Sequence, residues 1–310
     1  MDRLAGGLTV TAAPEVGVRP TPVRRDGARW VASRAATLVL LIPAVVAFCV
    51  LFLYPLARMI QVSLTEPTTG FDNYVSLFTD GYTVRVMVRT IWVALLVALI
   101  DILMAFPYAY AMTVSGRRMR AVLFTIVLIP FWTSAIAKNF AWLILFQRDG
   151  LLDRAFGVSL LGTTPAVVIA MSQVLLPFAV LPLYARLDQI DRRLLDAAQG
   201  LGATRAGAFR SIYLPLSVPG IAAAATLTFI LSLGFYVTPA MLGSTQQTLI
   251  AQLIMIRVQQ VLDFAGANAI GILLLVVTLA MLGLSRQLSA RRGGGARGGK
   301  GLAQTMGGDS

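Results

Sequence analysis

Six apolar stretches dominate the chain, each bounded by polar or charged residues. They run near residues 37–60, 90–112, 121–144, 165–185, 217–240 and 267–285. Each is close to the roughly 20 residues that a helix needs to cross a hydrocarbon core. The pattern predicts an all-α, polytopic membrane protein with six transmembrane helices. The first stretch is too long for the core of a signal peptide and lacks a convincing small-residue cleavage site, so it reads as an uncleaved span. Residues 1–36 are rich in Arg, Pro, Gly and Ala, show no apolar period, and read as a flexible basic tail. Residues 289–310, rich in Gly and Arg, read as a second flexible tail. The domain proper is 37–288, with one long polar loop at about 186–216.

Composition supports this division. The chain has 310 residues, of which 57% are hydrophobic and 13% charged, with a mean hydropathy of +0.77. A soluble domain carries about 25% charged residues, and disorder requires low hydrophobicity. A net charge of +12 would suggest nucleic acid in a soluble protein. Here the basic residues flank the spans, which is where cytoplasmic loops carry them, and no nucleic-acid partner is implied. The chain has no histidine, which removes His-based catalysis, His metal ligands and His proton relays. Its one cysteine, Cys49, lies in an apolar run, so neither an intrachain disulfide nor a cysteine cluster is available.

The basic residues are unevenly spread. Arg3, Arg19, Arg24, Arg25, Arg29 and Arg34 precede the first span. Arg117, Arg118 and Arg120 follow the second, and Arg186, Arg192, Arg193, Arg205 and Arg210 follow the fourth. Arg286, Arg291, Arg292, Arg297 and Lys300 follow the last. The intervening loops are acidic or balanced, with Glu66, Asp72 and Asp80 in one, Asp149 and Asp153 beside Arg148 and Arg154 in the next, and Asp263 in the last. The bias places both termini in the cytoplasm, which an even number of spans permits. Gly294, Gly299 and Lys300 imitate the start of a phosphate-binding loop, but Gly301 stands where Ser or Thr is needed, and no strand precedes it or helix follows. The chain does not read as an ATPase or as any other enzyme.

The loop after the fourth span holds the most specific pattern. Leu194, Leu195, Ala198 and Leu201 recur at helical spacing and predict one apolar face. Gly202 suits a turn between two short helices. Phe209, Ile212 and Leu214 supply apolar anchors to the second helix, and Pro215 is expected to break it before the fifth span. Such a short amphipathic helix suits either a groove on a partner or the membrane surface.

Asp196-Ala197-Ala198, three residues, Gly202, nine residues, Ile212, one residue, then Leu214-Pro215 resembles the EAA signature of ATP-binding-cassette importer permeases. Asp196 stands where Glu is usual, a shorter arm with the same charge. The likeness continues in Phe71-Asp72-Asn73-Tyr74, Ile129-Pro130-Phe131-Trp132-Thr133, Leu176-Pro177-Phe178, Leu181-Pro182-Leu183-Tyr184 and Gly234-Phe235-Tyr236-Val237-Thr238-Pro239. These stretches are similar to the spermidine/putrescine branch of the binding-protein-dependent transport family, over roughly residues 40–288. The resemblance implies a MetI-like permease in a bacterial inner membrane. It implies two copies of a cytoplasmic ATPase docked on the EAA loops, a second permease chain that is distinct from this one, and a periplasmic substrate-binding protein. ATP and Mg would be bound by the ATPase, with no cofactor or metal in this chain. The implied cargo is a polyamine or a similar small organic amine. The same branch includes carriers of 2-aminoethylphosphonate, ferric iron and opines.

Several intramembrane residues are candidates for the substrate path. Asp101 is the only acid well inside a span, about 16 Å from its outer end. Its alternatives are an interhelical polar contact or a protonated acid. Lys138 lies roughly 25 Å from the inner end of the third span, where it could snorkel, take a structural partner, or face an anionic group. Phe131, Trp132, Phe140, Trp142, Phe235 and Tyr236 could hold an ammonium group by cation–π contact or anchor the interface. Pro130, Pro177, Pro182 and Pro239 mark kinks or breaks. Gly220 with Ala224, and Ala222 with Ala225, offer surfaces for close packing. A secondary transporter or channel would instead predict intramembrane charge pairs or an inverted repeat, and a membrane enzyme would predict clusters of acids on the inner faces. Neither pattern is present in the sequence.

Overall fold

The computed structural model describes residues 34–293. The two terminal tails and the imitation phosphate loop at Gly294–Lys300 lie outside them, except that helix runs from Arg34 at one end and on to Gly293 at the other. Two compact units divide the chain at Pro55. The first holds α1 (Arg34–Phe48) and a π-helical turn, Cys49–Leu53. Phe48 stacks on Phe52 at 5.2 Å, and its apolar side chains from Leu41 to Tyr54 are exposed, as a lipid-facing or partner-facing segment requires.

The second unit is built from α2 (Tyr54–Thr65), α3 (Asp72–Thr79), α4 (Gly81–Val114), α5 (Arg117–Trp132), α6 (Ala135–Phe146) and α7 (Leu151–Phe156). There follow α8 (Thr164–Leu187), α9 (Arg193–Gly200), α10 (Arg205–Ala208), α11 (Leu214–Leu233), α12 (Val237–Leu242), α13 (Ile250–Ile256) and α14 (Phe264–Gly293). The described residues form no strand. The centre is the packing of α4, α8 and α11 on one another. Ala94, Ala98, Ala105 and Ala109 of α4, Ala170 and Ala179 of α8 and Ala224 of α11 are all buried. In lipid, helix association relies on close backbone approach, which these small residues permit. Gly220 marks a close approach of α11 to α8, since a Cβ there would sit 2.7 Å from Arg186 Cβ and 2.8 Å from its Cγ. The hydroxyls on α11 are spent within the helix: Ser217 donates to the Leu214 carbonyl, Thr228 to Ala224 and Ser232 to Thr228.

Five helices are long and apolar enough to cross a membrane, and the bent pair α5 and α6 brings the number to six when it is counted as one broken span. The fourth span matches its expected bounds within two residues. The third does not. The span expected at 121–144, with a kink or break at Pro130, is two helices, α5 and α6, in a pair bent by 94° at the break. Pro130 removes an amide near the end of α5, and Thr133 and Ser134 are extended. The fifth span departs at both ends. Pro215 does not break it, because the helix runs unbroken from Arg205 to Leu233, with a π-helical turn at Phe209–Tyr213 just ahead of the proline. That wider turn accommodates a ring with no N–H to give. The helix instead stops at Gly234, and α12 resumes after Tyr236. A twelve-residue apolar helix, Ile250–Val261, too short to span, was not apparent as a separate element in the sequence. It buries Ile250 and Leu253 against α4, α3 and α14 residues.

Candidate functional site

Two places collect the residues singled out above. The first is the polar loop that joins α8 to α11. Arg193–Gly200 forms two helical turns, which end in a Schellman cap: Ala203 N–H donates to the Ala198 carbonyl and Gly202 N–H to the Gln199 carbonyl, both at 3.0 Å. Gly202 takes φ +94°, which L side chains rarely adopt, and a Cβ there would meet nothing within 4 Å. Thr204 Oγ1 accepts from Gly207 N–H at 3.0 Å and starts the next helix. The two short helices joined at Gly202 are therefore as the sequence indicated.

The apolar residues of the loop divide differently from expectation. Leu195 and Ala198 are half-buried, and Leu195 packs on the core between α4 and α8. Leu194 is half-exposed and Leu201, just past the end of α9, is 91% exposed. Asp196 and Ala197 are exposed beside them. Of the expected anchors, Phe209 is half-buried and Ile212 half-buried, but Leu214 is exposed. Tyr213, not recognised from the sequence, is the main anchor at 2% exposure. It stacks on Phe209 at 5.2 Å and meets Tyr110 edge-on at 5.4 Å, while Phe209 meets Phe106 and Tyr110. The signal available was the Phe209–Tyr213 spacing of four, which puts both rings on one helix face. This aromatic group fixes the loop to the end of α4.

The second place is the pair of breaks in the third and fifth spans. Breaking a helix at membrane depth frees carbonyls that need donors. The Pro130 carbonyl accepts from Lys138 Nζ at 2.7 Å, and the Ile129 carbonyl from Thr133 Oγ1 at 3.2 Å. Lys138 thus holds the bend from the far side of the break. Trp132, the last residue of α5, is 90% exposed. At the other break Phe235 is half-buried and Tyr236 is 38% exposed. The helices beyond the two breaks, α6 and α12, pack on each other, which brings the breaks into one region. Phe131 meets Phe178 at 5.0 Å, and Phe178 and Phe235 cover the same apolar cluster.

Asp101 is placed elsewhere. It is completely buried on α4, and neither its carboxylate oxygens nor the nearby buried Ser172 Oγ of α8 has a hydrogen-bond partner. Ser172 also borders a cavity of about 290 Å³ with Met104, Trp142 and Gln173, where Trp142 Nε1 donates to Gln173 Oε1 at 3.1 Å. Trp142 is therefore a structural tie across α6 and α8. Among the described residues no group of three or more Cys, Asp or Glu is placed to hold a metal.

A bundle of long apolar helices with broken spans, small-residue packing and a rigid polar loop defines a membrane permease subunit. Residues 98–293 match the family described as the binding-protein-dependent transport system inner membrane component. The chain belongs to that family: it is a multi-pass inner-membrane permease of an ATP-binding-cassette importer, a transport component and not an enzyme. It is 28% identical to the spermidine/putrescine transport system permease protein PotB of Escherichia coli (strain K12), over 78% of this chain and 94% of that one. It is 33% identical to the inner membrane ABC transporter permease protein YdcU of the same organism, over 57% of this chain and 63% of that one. Its fold resembles that of a permease chain in a bacterial alginate ABC transporter solved with a pentasaccharide-bound periplasmic protein, with a TM-score of 0.68 at 22% identity, over 82% and 94% of the two chains.

Proposed function

We propose that this permease forms half of the path for a small organic amine, polyamines first among them, and is driven by an ATPase that docks on α9 and α10. A single observation carries the docking: the loop exposes Leu194 and Leu201 at its tip, yet is locked to α4 by Phe209 and Tyr213. Two copies of the ATPase, a distinct second permease chain and a periplasmic binding protein complete the assembly. ATP and Mg belong to the ATPase. Both termini and the loop lie in the cytoplasm, by the distribution of arginines. Closure of the ATPase pair would draw the loops together and rock the helices between inward-open and outward-open states, a rigid two-state element biased by a partner.

The coupling residues in this reading are Asp196, Ala197, Ala198, Gly202, Ile212, Leu214 and Pro215. Trp132, Lys138, Phe235 and Tyr236, gathered near the two breaks, border the path. Asp101 enters it only in a state where α4 and α8 separate around Ser172. The amine cargo is suggested by the relatives, among them PotB, and by the exposed aromatic faces, which suit an ammonium group.

Substituting Gly202 with valine tests the coupling. Space is open there, so the effect acts through φ alone. Uptake of radiolabelled putrescine or spermidine should fall at least tenfold while the chain still inserts and still co-purifies with a second permease. Undiminished uptake would sink the coupling role, and uptake that persists without any ATPase would favour a secondary transporter.

A further inference from the structure

Arginines near the start of α4 are treated very differently by their surroundings. Arg257, which reaches α4 from beyond α13, is fully matched: its Nη1 meets Asp263 Oδ2 at 3.0 Å, and its Nη2 meets Thr83 Oγ1 at 3.0 Å and Asp80 Oδ2 at 3.8 Å. Arg85 and Arg89 are not. They stand four residues apart, on one face of α4, and among the described residues no carboxylate lies within 4.0 Å of either. The one contact is a marginal one, from Arg89 Nη1 to the Thr248 carbonyl at 3.5 Å. Arg85 and Arg89 both line an open cavity of about 420 Å³, together with Tyr82, Val86, Thr245 and Gln246. Two like charges at this spacing repel, and each guanidinium presents a fork of donors matched to planar or tetrahedral oxyanions. Tyr82, Thr245 and Gln246 add neutral polar groups around the same space.

We propose that Arg85, Arg89 and their cavity form an anion site that takes the carboxylate or phosphonate group of the cargo at the outer mouth of the path. The inference rests on the reading above, in which α4 begins outside the membrane and the cargo is a small organic amine. Among those amines, the site serves the ones that also bear an acid group. The amine end would travel on to the aromatic region at the breaks.

Arginine modification by phenylglyoxal, read by mass spectrometry on the purified complex in lipid-free detergent, tests the site without transport. Methylphosphonate or acetate should slow modification of Arg85 and Arg89 at least threefold relative to chloride at equal ionic strength, and leave Arg257 unchanged. Equal rates in all three salts would overturn the proposal. Protection that appears only on adding phosphatidylglycerol would assign the site to lipid headgroups, and protection only by cargo-free binding protein would assign it to docking. Either result also overturns the cargo assignment. In cells, Arg85→Gln alone, which spares the Thr248 contact, and the double change with Arg89→Gln should raise the KM for a carboxylate- or phosphonate-bearing amine by about tenfold and leave putrescine uptake unaltered. Failure of the natural chain to carry any amine would remove the function proposed above while the protection result still decides the anion site.

Discussion

Lys138 offers a direct way to separate a structural cation from a cargo-binding one. Replacing it with methionine keeps the length and most of the apolar stem but removes the donor to the Pro130 carbonyl, now at 2.7 Å. A hydrogen bond from a charged group contributes about 1.5–3 kcal/mol net, and a buried acceptor left without a donor loses a similar amount. Lys138 is only half-buried, and water could replace part of the contact, so the low end of that range applies, about 2 kcal/mol. For a domain of this size that corresponds to a fall in melting temperature of roughly 4–8 °C. The change should be read by thermal unfolding in detergent, together with the KM and maximal rate of uptake in reconstituted vesicles. Lys138→Gln, which restores a neutral donor, should recover about half of the lost stability. If Lys138→Met leaves the melting temperature unchanged and alters only KM, the side chain serves the cargo and the argument that it holds the bend is wrong.

Three other changes follow from the packing and the caps. Gly220→Val places a branched side chain where even a Cβ meets Arg186 at 2.7 Å, so α8 and α11 must separate; overpacking of this kind costs about 1–3 kcal/mol, and thermal unfolding should show it, with Gly220→Ala milder. Asp80 caps α4 through the Tyr82 and Thr83 amides and accepts from the Thr83 hydroxyl. The Thr83 hydroxyl first, then the Tyr82 amide, hold its carboxyl below the ordinary 3.8. Its contribution is therefore present above pH 3.8 and is lost as pH falls through the lowered folded value. Asp80→Ala should cost about 1 kcal/mol at neutral pH, with the gap from the natural chain closing on acidification; a gap that widens instead contradicts the capping role. Tyr213→Ala removes the ring that ties the loop to Tyr110 and Phe209, and should lower the ATPase-coupled uptake rate at least fivefold with little change in KM. An effect on KM alone would place that ring in the cargo path.

The hydropathy pattern revealed where apolar chain lies but not where helix begins, bends or ends. α4 starts nine residues before its apolar run because Asp80 caps it and because a helix of 34 residues is about 51 Å long, well over a 30 Å core. The Asp80–Thr83 pattern was available as a cap signal. The 94° bend was half legible: Pro130 marked the place, but its angle depends on Lys138 reaching back across the break, a contact between residues eight apart. Pro215 misled in the opposite direction, since a π-helical turn absorbs a proline that would otherwise end a helix. In the loop, a turn at Gly202 between two short helices was legible from local sequence, whereas its form, a Schellman cap at positive φ, was not read from it. Which leucines face outward was not local. α9 has two turns, and its orientation is set by Leu195 and the aromatics of the next helix meeting α4. The burial of Asp101 likewise needed the partner helix α8, which no single stretch of sequence contains.

In the proposed importer, the exposed tip of the α9–α10 loop docks an ATPase. The most direct measurement is site-directed crosslinking of Leu201→Cys, made in a Cys49→Ser background so that the introduced thiol is the chain's sole one. Leu201 is 91% exposed, so the substitution should leave folding intact. With a short bifunctional thiol reagent in native membranes, a single crosslinked product is expected whose second chain is a nucleotide-binding ATPase, with a yield that changes when ATP is added. Crosslinking only to lipid or to nothing, in membranes where uptake is active, would contradict it.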